Sequence, residues 1–135
     1  MHYLSLDIGM RHTGIAYGDD VAKIPLPLPT IHHRNTSELI ASVSELLGKR
    51  NIDAIVVGLP LLPSGEEGSQ ARSVRECIPF LLAQGLPVTT IDERFTSASS
   101  RPQTSGIPAK NYDGDSAAAC AILQSFLDRK EGLTR

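Results

Sequence analysis

A chain of 135 residues with 41% hydrophobic and 21% charged residues has the size and balance of one soluble globular domain. No apolar run reaches the roughly 20 residues of a membrane helix, and the opening Met1-His2-Tyr3-Leu4 lacks the basic-then-apolar order of a signal peptide. The 13 Lys and Arg stand against 15 Asp and Glu, for a net charge of −2, whereas a domain that holds nucleic acid by charge alone has a pI above about 9. A polyanionic partner would therefore need a local basic patch or bound cations. Cys77 and Cys120 are far apart and form no C-x-x-C, so each reads as a small core hydrophobe in a reduced, cytoplasmic protein.

In chain order, Tyr3 to Ile8 alternates, with Leu4, Leu6 and Ile8 on one face and Tyr3, Ser5 and Asp7 on the other, which predicts a strand. A turn through Gly9 to Gly14 leads to a returning strand at Ile15-Ala16-Tyr17. A third extended stretch is expected over Val21 to Leu28, at a sheet edge because Pro25, Pro27 and Pro29 lack an N–H. Leu39, Ile40, Val43, Leu46 and Leu47 then recur at helical spacing, with Asn35 as N-cap, Glu38 three residues on and Gly48 as the terminating glycine. Ile52 to Gly58 is nearly continuous in apolar residues, the mark of a strand buried on both faces. A Pro/Gly loop to Gly68 precedes a helix over Ser69 to Gln84, with a kink expected from Pro79. Pro87 to Ile91 reads as another buried strand, Thr96 to Tyr112 as a Ser/Gly/Pro loop, and Asp115 to Arg129 as the last helix. A meander followed by alternating helices and strands (β-β-β-α-β-α-β-α) predicts an α/β fold with a five-stranded mixed sheet and helices on both faces.

Three acidic positions stand out. Asp7 lies in an otherwise apolar strand just before a turn, where an ionised carboxylate is costly unless paired or bound to a cation. Asp92-Glu93-Arg94 ends a strand, and alternation sends the two acids to opposite faces, so one of them can join Asp7. Asp113-Gly114-Asp115 opens the last helix. There Asp is also a favoured cap, but Asp115 shares a face with Ala118, Ala119 and Ile122. Such acids would repel one another unless divalent cations sat among them. Magnesium suits oxygen ligands, and two ions about 4 Å apart can activate water and stabilise a leaving oxygen in phosphodiester hydrolysis. The segment from Arg94 through Arg101 to Lys110 has no acid between Phe95 and Tyr112 and is the best basic patch. Arg11-His12 and His32-His33-Arg34 are weaker phosphate candidates. His32-His33 has no ligand spacing to other His or Cys, so zinc is not expected.

Four segments resemble one family, the YqgF/RuvX group of bacterial resolvase-like proteins and pre-16S ribosomal RNA nucleases. Asp7 to Ala16 is similar to its D-x-G-x-K-R-x-G-x-A opening. Val56-Val57-Gly58-Leu59-Pro60 with Gly68-Ser69-Gln70-Ala71 resembles its V-V-G-L-P…G-x-Q-A block. Asp92-Glu93-Arg94-Phe95-Thr96-Ser97 looks like its D-E-R-L-T-T, and Asp115-Ser116-Ala117-Ala118-Ala119 with Ile122-Leu123-Gln124 like its ending. The resemblance implies a ribonuclease-H-like fold over residues 1–135 and a nuclease trimming the 5′ end of pre-16S rRNA. It further implies a site of Asp7, Glu93 and Asp115, which selects Glu93 over Asp92. Two Mg2+ or Mn2+ ions would be held by these three acids, with Arg11, His12, Arg94, Thr96, Arg101 and Lys110 on the nucleic acid. The chain departs from the pattern where Arg11-His12 replaces Lys-Arg, where Ser99-Ser100-Arg101-Pro102 cuts a helix short, and at Pro79.

The leading expectation is thus a metal-dependent nuclease, monomer or homodimer, acting on structured RNA, including ribosomal precursor particles, or on branched DNA as a Holliday junction resolvase. A second is a non-catalytic nucleic-acid-binding factor in ribosome assembly or transcription, motivated by the altered basic pair and modest charge. A third is an ATP-binding fragment of the actin/sugar-kinase type, since Asp7-x-Gly9-x-x-x-x-Gly14 also suits a phosphate loop.

Overall fold

The computed structural model describes residues 1–93 and 114–133. The elements are β1 (His2–Ile8), β2 (His12–Asp19), β3 (Leu26–His32), α1 (Thr36–Lys49), β4 (Ala54–Leu59), α2 (Ser69–Leu82), β5 (Val88–Asp92) and α3 (Gly114–Leu133). The strands form one five-stranded sheet in the order β3-β2-β1-β4-β5. β1–β2 and β2–β3 pair antiparallel, and β1–β4 and β4–β5 pair parallel. The sheet is mixed, as the element order predicts.

Strand alternation sorts the core into two layers. Leu4, Leu6, Ile15, Ile55 and Val57 face Leu39 and Val43 of α1 and Val74 and Leu81 of α2. Tyr3, Ala16, Val56 and Ile91 face Ala119, Ile122, Leu123 and Leu127 of α3. Helices therefore cover both faces. Cys77 and Cys120 are free, buried and in opposite layers. Burial pushes both thiols up, Cys120 to about 11, so they remain protonated hydrophobes.

Three local readings are corrected. The third strand starts at Leu26 rather than Val21, because the Asp19 carboxylate accepts from the backbone N–H of Val21 and Ala22 and holds a turn there. Lys23 takes the left-handed conformation within that turn, at φ 58°. The edge position expected from the prolines holds: Pro27 pairs with Ala16, and β3 has a neighbour on one side.

At α1 the Asn35 side chain accepts from the Glu38 N–H at 2.9 Å, and Glu38 accepts in return from the Arg34 N–H. Gly48, however, lies inside the helix, which is closed by Arg50 donating to the Leu46 carbonyl. A Cβ at Gly48 would meet nothing within 4 Å. Gly48→Ala should therefore stabilise the protein by about 0.5–1 kcal/mol, because a helical glycine loses more backbone entropy than alanine. The midpoint of urea unfolding measures this directly. α2 runs through Pro79 to Leu82, two residues short of the expected end.

Candidate active site

Three parallel strands, β1, β4 and β5, end at the same edge of the sheet, where open α/β sheets hold their ligands. Asp7 is the second-last residue of β1, and Glu93 directly follows β5. Alternation puts Asp7 on the α3 face with Tyr3 and Ser5, and Glu93 on that face with Ile91. Asp92 points the other way.

β4 lies between these two strands, so Glu93 has to cross it to reach Asp7. Gly58 provides the crossing. It is level with Ile91 of β5, and its neighbour Val57 is level with Leu6 of β1. A Cβ on Gly58 would stand 2.7 Å from Glu93 Oε1, 2.9 Å from its Cγ and 2.4 Å from Ile122 Cδ1. The missing side chain is the space that Glu93 occupies. One signal for this was present in the sequence: a lone glycine inside the buried strand Ala54-Ile55-Val56-Val57-Gly58-Leu59 marks close approach by another group.

Glu93 is partly buried and hydrogen-bonded to Asp7. Its carboxyl is pushed up to about 8, first by burial, then by the bond to Asp7 and the charges of Asp7 and Asp92. Near neutral pH Glu93 thus keeps a proton that a cation in the site would displace. Two carboxylates side by side make an oxygen-rich pocket of the kind that fits a hard divalent ion.

This has a consequence for stability. Folded Glu93 keeps its proton up to about 8, whereas its ordinary value is 4.5. The folded state therefore binds more protons between those limits, and stability falls as pH rises through that window. Below it the contribution is complete. The melting temperature should decline from pH 5 to pH 8, and Mg2+ or Mn2+ should restore it at pH 8 by binding the ionised pair. A profile that is flat with and without the ion would contradict the coupling.

Asp115 is the second residue of α3, and its place in that helix is what is described. The next residue, Ser116, is buried and donates to the Leu28 carbonyl of β3 at 2.6 Å, with Thr30 Oγ1 at 3.2 Å. One turn on, buried Ser5 of β1 donates to the Ala119 carbonyl at 2.8 Å. These bonds fasten the first turns of α3 to the sheet face that carries Asp7.

Among the other candidates, Arg11 and His12 are exposed at the β1–β2 turn. Gly9 closes that turn by donating to the His12 carbonyl at 2.9 Å. Arg34 is engaged with Glu38 at 2.9 Å. His33 is buried, with Nε2 2.8 Å from Thr13 Oγ1, and burial together with nearby His12 pushes its imidazole down, so it stays neutral. Arg94, Thr96, Arg101 and Lys110 lie outside the described residues, as does the loop from 96 to 112.

A five-stranded mixed sheet, helices on both faces and a carboxylate pair where the parallel strands end define a ribonuclease-H-like α/β protein. Solved structures agree on the fold. Thermus thermophilus RuvC, solved with a Holliday junction substrate, matches with a TM-score of 0.70 over 98% of this chain and 96% of that one, at 17% identity. The fowlpox virus Holliday junction resolvase matches with a TM-score of 0.57 over 96% and 99%, at 15% identity. The chain belongs to the RuvX family, whose model, described as Holliday junction resolvase, matches residues 1–129. Two relatives carry the name "Putative pre-16S rRNA nuclease". The one from Anaeromyxobacter sp. (strain Fw109-5) is 39% identical over 133 residues, covering 95% of this chain and 97% of its own. The one from Synechococcus sp. (strain JA-2-3B'a(2-13)) is 39% identical over 132 residues, covering 94% and 78%. The fold is also similar to a ROK family protein from Streptococcus pneumoniae, with a TM-score of 0.54 at 17% identity, but this chain spans only 39% of it. Among the described residues no helix is long and apolar enough to cross a membrane.

Proposed function

We propose that this chain is a hydrolase of phosphodiester bonds, a nuclease that works with divalent cations, and that its substrate is the 5′ end of precursor 16S rRNA. The observation that carries the reading is the Asp7–Glu93 pair, two acids brought together where β1 and β5 end, with the carboxyl of Glu93 pushed up. The relatives named for pre-16S rRNA support the substrate.

In this reading Asp7, Glu93 and Asp115 hold Mg2+ or Mn2+, one or two ions. Such an ion supplies Lewis-acid stabilisation of the phosphoryl oxygens and lowers the pKa of bound water. Asp7, at the centre of the site, orients the attacking water in line with the scissile bond. Glu93, held across Gly58, keeps or yields a proton according to the charge beside it. Arg11 and His12 at the adjoining turn, with Arg94, Thr96, Arg101 and Lys110, bind the phosphate backbone on either side. The products are a 5′-phosphate and a 3′-hydroxyl. Residues 1–135 act as one nuclease unit in the cytoplasm, on precursor ribosomal particles.

A second reading, cleavage of branched DNA, is favoured by the description of the matching family. Both are tested by incubating pure protein with precursor 16S rRNA and with a four-way DNA junction, in Mg2+ or Mn2+ and then with EDTA. Faster, EDTA-sensitive trimming of the RNA supports the first reading, and faster symmetric incision of the junction replaces it with the second. Salt-sensitive binding to both with no cleavage would leave a non-catalytic binding factor.

A further inference from the structure

His12 and His32 are 20 positions apart in sequence but directly opposite one another in the antiparallel β2–β3 ladder. In the adjacent pair, His33 donates its N–H to the Arg11 carbonyl at 3.0 Å. Antiparallel ladders alternate, so His12 and His32 hold the non-hydrogen-bonded position, where facing side chains come closest. Their ring centroids are 5.0 Å apart, with the planes at 89°. Both residues are exposed, and neither ring makes a hydrogen bond or ion pair among the described residues.

We propose that His12 and His32 form a two-imidazole site for a borderline divalent transition ion, Zn2+, Ni2+ or Cu2+, separate from the carboxylate pair. A metal–nitrogen bond of about 2.0–2.1 Å, about 1.2 Å more to the ring centre and a near-tetrahedral angle put two ligating rings about 5 Å apart. The observed separation meets that value with the backbone as it stands. From the edge-on arrangement both rings would have to turn about their side-chain torsions to aim their lone pairs at one point, and the exposure of the two residues leaves room for that.

Ligand type separates the two sites. Imidazole nitrogen suits zinc, nickel and copper, whereas an all-carboxylate pocket suits magnesium and manganese. Among the residues whose side chains are described, which do not include Asp115, no group of three or more His, Cys, Asp or Glu could hold a metal, so the protein supplies two ligands here and the remaining positions stay open. Their direction is informative. Asp7 is the partner of Gly14, and the two-residue period puts His12 on the same sheet face as Gly14. An ion on the histidine pair therefore offers its open positions on the carboxylate side of the sheet, where a phosphate oxygen or water can fill them.

The test is calorimetric titration of the untagged full chain with ZnCl2, in excess Mg2+ so that the carboxylate pocket is occupied by the harder ion. The expected result is one micromolar site. It should weaken by about tenfold or more in His12→Gln and equally in His32→Gln, because each removes half the ligand set, and hold its affinity in His2→Gln. Cu2+ should bind more tightly than Ni2+ or Zn2+. Melting curves of the variants check folding, and proton spectra of the wild-type chain give a second readout, in which Zn2+ should shift the His12 and His32 ring signals together. Absence of Zn2+ binding, affinity unchanged in both variants, or loss in only one of them would overturn the proposal.

Discussion

Asp7→Asn should abolish cation-dependent cleavage while leaving the protein folded. The substitution keeps shape and removes the charge on the central strand that a divalent ion needs. The rate should fall by about a hundred- to a thousandfold, the scale on which losing a preorganised charge-stabilising group is felt. Stability should move the other way above neutral pH. Asp7 raises the carboxyl of Glu93 both by hydrogen bonding and by its charge. A neutral neighbour lets Glu93 ionise at lower pH, and the fall in melting temperature between pH 5 and pH 8 should become shallower. Single-turnover cleavage and a pH series of melts, run on one preparation, give both readouts. Cleavage at wild-type rates in Asp7→Asn would remove Asp7 from the chemistry, and a lost fold would show instead as a lower melting temperature at pH 5.

The second large effect is expected from Gly58→Ala, a change of one methyl group. The added carbon would stand 2.4 Å from Ile122 Cδ1 and 2.7 Å from Glu93 Oε1. Ile122 is buried in the layer beneath α3 and has little room to retreat. Overpacking of this kind costs about 1–3 kcal/mol, and Glu93 is the more movable of the two neighbours. Glu93 should therefore be pushed off its path to Asp7, and Mg2+ should lose its stabilising effect at pH 8. Urea unfolding with and without Mg2+ separates the terms. A variant that is destabilised yet still fully responsive to Mg2+ would show that Glu93 found another route.

Much of the architecture was legible because periodicity alone carries it. Alternation in Tyr3 to Ile8 identified the β1 faces, and the apolar run around Val56 identified a strand covered on both sides. The edge strand was legible from its prolines, but its start was not, because the Asp19 turn is made by a side chain accepting from N–H groups two and three residues on. Gly48 misled for a related reason. Glycine marks helix ends only when the chain turns left-handed there, and α1 continues one residue past it.

At the site, alternation said that only one of Asp92 and Glu93 could face Asp7, and Ile91 settles which face that is. What composition and spacing could not give was the passage over β4 at Gly58, since it depends on three strands lying side by side. The His12–His32 pairing was hidden in the same way. Ligand spacing along the chain is a poor guide when a ladder brings together residues 20 positions apart.

Pro27 and Pro29 both lie on the edge strand β3, Pro27 opposite Ala16 and Pro29 in the stretch where the pairing to β2 shifts register. Neither nitrogen can donate, which leaves the rim of the sheet interrupted where an incoming backbone would have to dock. Self-propagating strand addition is thereby discouraged at β3 without any charged guard. If two copies of this chain associate through β3, they should meet there through side chains rather than through a shared ladder.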